Sequence, residues 1–278
     1  LGRARFVDRS TLEIDGHTRL EARAIVIATG SRPAVPGMLQ AAGERLVIND
    51  DVFSWDDLPR SVAVFGPGVI GLEIGQALAR LGVRVVVLGR GGRVGPLSDP
   101  VVRDAFLAAI GEELYVDPDA HVERVGRFGD EVEVAYRALD GTPRVERFDY
   151  VLAATGRRPN VDGLGLEGLG LELDAMGVPR FDARTLRAGD TNIFIAGDAA
   201  NDIPLLHEAA DEGRIAGRNA GKPSAAEPGL RRAPLSVVFT DPQVAIVGGG
   251  FGKLPPGRFE AGEVSFADQG RSRVMLRN

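Results

Sequence analysis

Three closely spaced glycines, Gly66, Gly68 and Gly71, are the sequence feature that most constrains how this chain can fold. They follow an apolar segment, 61–65, and a second apolar segment, 84–88, comes shortly afterwards. Each segment has the length and composition of a β-strand. The stretch between them has the length of one helix, so the sequence predicts a strand–helix–strand unit of a parallel sheet.

The spacing of the same glycines also predicts what the turn does. Gly66 allows a sharp turn, Gly68 lets a pyrophosphate approach the backbone, and Gly71 lets the helix pack against the strand. The first helical residues, Val69 and Ile70, lie at a helix N-terminus, whose free N–H groups attract phosphates. The pattern therefore predicts a dinucleotide site, with a purely structural glycine turn as the alternative.

The end of the second strand bears on which nicotinamide cofactor fits. An NAD site commonly has a carboxylate there for the ribose hydroxyls. This chain has Gly89 and Arg90 at that place, with Arg93 close behind. Two guanidinium groups can pair with the 2′-phosphate of NADP(H). The sequence therefore favours NADP(H), with NAD(H) and a solvated basic loop as the alternatives.

Similar small-residue turns follow three other strand-like segments. Thr29 and Gly30 end one apolar run, and Gly156 closes a near copy of the same ending. Two such endings predict two nucleotide-binding sheets. Gly197 and Asp198 end another run, which would place the carboxylate at the sheet edge where ligands of open α/β sheets bind. Asp198 is therefore predicted to accept hydrogen bonds from sugar or ribityl hydroxyls, with a turn or helix cap as the alternative.

Two ionisable side chains are further candidates. Glu73 lies among apolar residues of the predicted helix, where a carboxylate needs a partner. It would either pair with a lysine near a reacting nicotinamide or face solvent at the helix rim. Of the three histidines, only His207 lies close to a predicted site, whereas His17 and His121 are predicted to be bystanders.

The composition excludes several other functions. The chain has 278 residues with 33 Lys and Arg against 39 Asp and Glu, and the formal net charge of −6 disfavours binding to nucleic acid. It has no cysteine, which excludes disulfides, Fe–S clusters and a thiol nucleophile within these residues. Neither metal-ligand spacing nor an apolar run of roughly 18 residues is found, so we expect a cytoplasmic protein with no metal and no membrane span.

Turn residues divide the rest of the chain. The sequence predicts an antiparallel meander within residues 121–148 and a helix over 205–220. Residues 160–189 are predicted to be mostly loop, and the stretches 43–60 and 221–234 are predicted to be linkers.

Taken in order, the motifs at residues 28–30, 66–73, 154–160 and 195–198 resemble those of the pyridine nucleotide–disulfide oxidoreductases. These are flavoproteins with two dinucleotide sites, and they include dihydrolipoamide dehydrogenase, glutathione reductase, mercuric reductase and the soluble transhydrogenase. The segment 205–209 is similar to dihydrolipoamide dehydrogenase in particular, which has a Leu and a His at these places. The resemblance covers nearly the whole chain.

The resemblance implies an α/β fold with two nucleotide-binding, doubly wound domains of Rossmann type and the start of an α+β interface domain. Residues 1–58 and 183–221 would form a discontinuous FAD-binding domain. Residues 59–182 would form an inserted NAD(P)-binding domain. Residues 231–278 would begin the interface, or dimerisation, domain and leave it incomplete.

The resemblance also implies the residues around each cofactor. The residues at the FAD would be Thr29, Gly30, Gly197, Asp198, Leu205, Leu206 and His207. The residues at the NAD(P) would be Gly66, Gly68, Val69, Ile70, Gly71, Gly89, Arg90, Arg93 and Gly156. Glu73 would be the catalytic residue beside the nicotinamide and the flavin.

The implied activity is that of an FAD-dependent NAD(P)H oxidoreductase, in which hydride passes from nicotinamide to flavin and electrons pass on to a disulfide or a small-molecule acceptor. The chain lacks the family's redox cysteine pair, its first glycine motif and its C-terminal His-Glu pair, so we expect a fragment, truncated at both ends, of a homodimeric enzyme. We expect the fragment alone to be inactive. The alternatives are a disulfide-free relative, such as a soluble transhydrogenase or NADH oxidase, and a non-catalytic nucleotide-binding module.

Overall fold

A computed structural model of the chain describes residues 2–255, 257–265, 269–270 and 274, so part of the predicted segment 231–278 lies outside the described residues. The strands within these ranges are β1 (Ala4–Phe6), β2 (Thr11–Ile14), β3 (Thr18–Glu21), β4 (Ile25–Ile27), β5 (Ser31–Pro33), β6 (Leu46–Val47), β7 (Ser61–Phe65), β8 (Arg84–Leu88), β9 (Tyr115–Asp117), β10 (His121–Phe128), β11 (Glu131–Arg137), β12 (Pro143–Phe148), β13 (Tyr150–Ala153), β14 (Arg157–Pro159), β15 (Ile193–Ile195), β16 (Leu235–Val238) and β17 (Val244–Val247). The α-helices are α1 (Val69–Arg80), α2 (Pro100–Ile110) and α3 (Leu206–Gly221). Short 3₁₀ helices span Gly37–Arg45, Asp51–Ser54, Leu166–Leu169, Gly197–Ala200, Pro223–Ala225 and Phe251–Lys253.

The largest sheet of the described residues has five parallel strands in the order β6-β13-β7-β8-β9. Its central strand, β7, is buried along its whole length. Val62 and Val64 pack into a core shared with α1 and α2, whereas Ala63 and Phe65 pack into a core shared with β10–β12. Burial on both faces explains why this strand is a continuous apolar run in the sequence.

The two helices that follow strands of this sheet begin differently. At α2, the Asp99 carboxylate accepts a hydrogen bond from the N–H of Val101 at 2.8 Å, and Pro100 occupies the first helical position. At α1, the N-cap residue is Gly68, which provides no side-chain cap. The first N–H groups of α1 are therefore left for a ligand or solvent.

A second parallel pairing joins distant parts of the chain. β4 pairs with β15, with Ile25 beside Ile193 and Ile27 beside Ile195. These side chains belong to a separate core that also contains Phe6. A domain interrupted by an inserted domain requires a pairing of this kind, while the predicted domain boundaries themselves stay a prediction.

The predicted linker at 43–60 is wrong in one part. Leu46 and Val47 form β6, which pairs with β13 at the edge of the five-stranded sheet. The ring of Trp55 lies 5.1 Å from that of Tyr150 in β13. This segment therefore packs on the sheet before the chain enters β7.

The meander predicted within residues 121–148 is confirmed, and a hairpin follows later in the chain. β10, β11 and β12 pair antiparallel in sequence order, and β16 pairs antiparallel with β17. None of the helices among the described residues combines the length and hydropathy that crossing a membrane requires.

Candidate functional site

In the turn between β7 and α1, two of the three glycines are packed so closely that a side chain would not fit, and the third has free space beside it. A Cβ atom on Gly66 would overlap the carbonyl oxygen of Ala154, and a Cβ atom on Gly71 would overlap that of Gly66. By contrast, a Cβ atom on Gly68 would meet no described atom within 4 Å beyond its immediate neighbours. The space beside Gly68 is therefore wide enough for a pyrophosphate to approach the backbone, which fits a nucleotide at this turn.

Four neighbouring strands end at the same edge of the sheet, and the residues after them line a cavity of about 880 Å³. β8 is followed by residues 89–93, called here the arginine loop, and β9 leads into residues 117–121, called here the histidine loop. Parallel strands bring their carboxyl ends together, and ligands bind there. Of the residues predicted at the NAD(P), this cavity is lined by Gly66, Gly68, Gly89, Arg90, Arg93 and Gly156.

The arginine loop excludes a carboxylate at its first position. A Cβ atom on Gly89 would lie 2.5 Å from the carbonyl oxygen of Pro118 and 2.7 Å from Cγ of Pro67. An acidic residue here, of the kind that binds ribose hydroxyls in NAD sites, would therefore displace backbone. Arg90 and Arg93 line the cavity, and neither forms an ion pair with another residue in the described parts of the chain.

A second cavity, of about 670 Å³, adjoins the first on the other side of the glycine turn. It is lined by the predicted NAD(P) residues Gly68, Val69, Ile70 and Gly156 and by the predicted FAD residue Leu205. The two cavities share Gly68, Ala154 and Gly156 in their walls. A nucleotide that lay across the glycine turn could therefore extend from one cavity into the other.

Asp198 lies in a small polar network that joins distant segments. Its Oδ2 accepts a hydrogen bond from Oγ of Ser31 at 2.6 Å, and Nε of Arg157 lies 3.7 Å away. Arg157 donates to Oγ of Ser31 at 2.7 Å and also lines the second cavity. The predicted residues Thr29 and Gly30 lie beside this network, where their carbonyl groups accept hydrogen bonds from Asn160 at 3.1 and 2.9 Å.

The start of α3 presents an unpaired ring nitrogen. Leu205 is the N-cap residue and provides no side-chain cap, and Leu206 is 89% exposed. Nε2 of His207 is buried and has no hydrogen-bond partner among the described residues. Buried polar atoms are normally paired, so this nitrogen fits a site that a hydrogen-bonding group such as a flavin completes.

A buried glutamate holds the turn that leads to Asp198. Oε2 of Glu212 accepts a hydrogen bond from the N–H of Gly197 at 2.7 Å. Its Oε1 faces Nη2 of Arg231 at 3.2 Å as an ion pair without hydrogen-bond alignment. Burial raises the pKa of Glu212 above its ordinary value, and the bond from Gly197 and the charge of Arg231 oppose that rise.

The structure does not place Glu73 in the wall of either cavity. Its Oε1 accepts a hydrogen bond from the backbone N–H of Phe239 at 2.8 Å. The helix therefore directs this carboxylate toward the segment after β16. Its predicted role beside the nicotinamide and the flavin stays a prediction.

Several cavity residues were not among the sequence candidates, and three of them have charged or ionisable side chains of interest here. His121, predicted to be a bystander, lines the 880 Å³ cavity together with Asp119, and Arg157 lines the second cavity. Asp119 and His121 follow β9, and only the order of strands in the sheet brings them beside the arginine loop. The signal that could have found them is their position at the end of the next parallel strand.

Parallel strands ending in a glycine turn, with a second pairing of distant segments beside them, define a protein with two nucleotide-binding regions. The model of the family described as "Pyridine nucleotide-disulphide oxidoreductase" matches residues 1–213, and the chain belongs to this family. The family implies FAD and a pyridine nucleotide as cofactors. The predicted family and fold class are therefore confirmed.

Individual relatives agree with this assignment. Dihydrolipoyl dehydrogenase 3 of Pseudomonas aeruginosa is 34% identical over 270 residues, which is 93% of this chain and 56% of the relative. Mercuric reductase of Staphylococcus aureus is 30% identical over 89% of this chain and 45% of its own length. The chain thus spans about half the length of the curated relatives it matches.

Solved structures show the same fold. LpdA from Mycobacterium tuberculosis superposes with a TM-score of 0.76 at 30% identity, over 90% of this chain and 55% of that protein. The HOCl-induced flavoprotein disulfide reductase RclA from Escherichia coli superposes with a TM-score of 0.81 at 22% identity. That match covers 99% of this chain and 63% of RclA.

Proposed function

We propose that this chain is the cofactor-binding part of an FAD-dependent NAD(P)H oxidoreductase. The observation that carries the proposal is the junction of the two cavities at Gly68, Ala154 and Gly156. A dinucleotide with its pyrophosphate on the glycine turn would have its adenosine end in the 880 Å³ cavity. Its nicotinamide end would then enter the second cavity, beside Arg157 and Leu205, where the flavin is predicted.

Each part of the site has a physical role in this proposal. The N–H groups of Val69 and Ile70 and the N-terminus of α1 would hold the pyrophosphate. The guanidinium groups of Arg90 and Arg93 would favour NADP(H) over NAD(H). Asp198 would accept hydrogen bonds from the ribityl hydroxyls. When bound, the cofactors supply the redox chemistry, with hydride passing from nicotinamide to flavin and electrons passing on to an acceptor.

The family description, "Pyridine nucleotide-disulphide oxidoreductase", supports a disulfide as the group that exchanges electrons with the flavin. We infer that the longer protein is a homodimer located in the cytoplasm. A redox cysteine pair in the longer protein would indicate the disulfide-dependent enzyme, and its absence would indicate the disulfide-free alternative.

The test is an anaerobic titration of the longer flavin-containing protein with NADPH. The proposal expects the visible absorbance of the flavin to bleach, because hydride reaches the flavin from the nucleotide on the glycine turn. Saturable binding of NADPH without bleaching would favour the non-catalytic nucleotide-binding module. If NADPH did not bind at all, the glycine turn would not be a nucleotide site.

A further inference from the structure

The histidine loop is tied to the arginine loop along its length. The backbone N–H of Gly89 donates to the carbonyl oxygen of Asp117 at 2.6 Å, and that of Gly92 donates to the carbonyl oxygen of Pro118 at 3.1 Å. Both loops follow neighbouring parallel strands and line the same 880 Å³ cavity. They therefore form one continuous wall.

A side chain adds a third tie at the middle of the arginine loop. Oδ1 of Asp119 accepts a hydrogen bond from the backbone N–H of Gly91 at 2.7 Å. Gly91 and Gly92 have φ angles of +77° and +69°, in the left-handed region that glycine enters at little cost. Two adjacent glycines leave a loop free to change shape unless something holds it. The Asp119 carboxylate supplies that hold, between Arg90 and Arg93.

His121 adds a donor to the wall that the two arginines share. His121 lines the cavity, and its imidazole forms no hydrogen bond or ion pair with any residue that the structure describes. A neutral imidazole has one N–H donor and a protonated one has two. The same wall contains Arg90 and Arg93, whose guanidinium groups also lack ion pairs among the described residues. Three residues with unpaired side-chain donors thus line one cavity from two different loops.

We propose that the histidine loop is a second specificity-determining element for the 2′-phosphate of NADP(H). His121 contacts the phosphate, and Asp119 is a positioning residue that acts through the arginine loop. The inference rests on the proposed function, because it requires the adenosine end of the nucleotide to lie in the 880 Å³ cavity. It goes further by assigning cofactor choice to residues that follow β9 as well as to those that follow β8.

The carboxylate of Asp119 lies close to the place where the negatively charged phosphate would bind. A phosphate monoester has a charge of about −1.5 to −2 near neutral pH, so an unengaged carboxylate nearby would repel it. One oxygen of Asp119 already accepts a hydrogen bond from the N–H of Gly91. The residue therefore orders the arginine loop, although its negative charge still repels the phosphate. The amide oxygen of an asparagine would still accept the hydrogen bond from Gly91, and the charge would be removed. Asp119→Asn should therefore retain the loop and bind the phosphate at least as well.

The experiment titrates the chain with adenosine 2′,5′-bisphosphate and with 5′-AMP in a calorimeter, so that no flavin is needed. His121→Ala is expected to weaken the bisphosphate by about fivefold, the effect of losing one exposed hydrogen bond to a charged group, and to leave 5′-AMP unchanged. His17→Ala is the matched control, because His17 is exposed and lines neither cavity. It should change neither affinity.

Asp119→Ala is expected to weaken the bisphosphate by a similar factor and to leave 5′-AMP unchanged, whereas Asp119→Asn should bind the bisphosphate at least as well as the wild type. General damage to the fold would weaken both compounds, and a role of the carboxylate charge would be lost in both variants. Equal losses for bisphosphate and 5′-AMP in the His121 and Asp119 variants, or no loss in either, would overturn the inference and leave the proposed function standing. If the unmodified chain bound neither compound, the nucleotide site itself would fail and the inference with it.

Discussion

The side-chain amide of Gln76 exchanges two hydrogen bonds, each 2.8 Å long, with the backbone of Asp241. Its Nε2 donates to the carbonyl oxygen and its Oε1 accepts from the N–H, and the residue is only 3% exposed. Glu73 accepts from the N–H of Phe239 nearby, and Arg80 pairs with the Asp241 carboxylate at 2.9 Å. One face of helix α1 thus holds the turn between β16 and β17 by hydrogen bonds and an ion pair.

Replacement of Gln76 by alanine tests this attachment. It would leave the N–H and the carbonyl oxygen of Asp241 without the amide, so we expect a loss of about 1–3 kcal/mol in the free energy of unfolding. The measurement is urea unfolding of the chain. Gln40→Ala is the control, because Gln40 is exposed, and equal stability of the two variants would argue against the attachment.

Charge reversal at Arg90 tests the cofactor preference. Arg90→Glu removes a guanidinium from the cavity wall and adds a charge that repels the 2′-phosphate, so NADPH binding should weaken far more than NADH binding. Titration calorimetry with both cofactors measures the difference. Arg19→Glu makes the same charge change in the exposed strand β3 and should affect both cofactors little. Equal losses for NADPH and NADH in the Arg90 variant would refute the 2′-phosphate assignment.

Glu212→Gln tests the buried carboxylate that holds the turn before Asp198. Burial raises the pKa of Glu212, so the folded chain binds this proton more tightly than the unfolded chain does. Below the ordinary glutamate pKa of 4.5 the stabilisation is fully present, and it is lost as the pH rises through the folded pKa. Glutamine resembles the protonated acid and still accepts from Gly197. The melting temperature of Glu212→Gln relative to wild type should therefore rise as the pH increases from below 4.5 through the raised pKa of Glu212.

Glu44→Gln is the control for this pH series, because Glu44 is exposed. A constant difference between Glu212→Gln and wild type across the series would show that Glu212 does not titrate with folding.

The strands with long apolar runs and the glycine turn could be predicted from the sequence, because their conformation depends on residues that are close together in the chain. The strands predicted over 61–65 and 84–88 are β7 and β8 with the same bounds, and the helix predicted between them is α1. By contrast, β6 has two residues, which is too short for any hydrophobic period, and it exists because β13 pairs with it. Its position could not be predicted without the sheet order.

The candidate site divides in the same way. The residues after β7 and β8 could be found from the glycine spacing, and they line the cavity as expected. His121 lies thirty-one positions after Arg90, and no motif in the sequence around His121 indicates a site. The partner of Glu73 is likewise a backbone N–H of Phe239, which no side-chain pattern can reveal.

The three glycines of the turn allow the central claim to be tested most directly. Gly66→Ala and Gly71→Ala would force backbone apart and should destabilise the fold, whereas Gly68→Ala has room and should keep the stability of the wild type. Only a bound pyrophosphate would meet the added methyl group. Calorimetric titration with NADPH should therefore show saturable binding to the wild type and a loss of about tenfold or more in a fully folded Gly68→Ala variant. Equal affinity of these two proteins for NADPH would contradict the account.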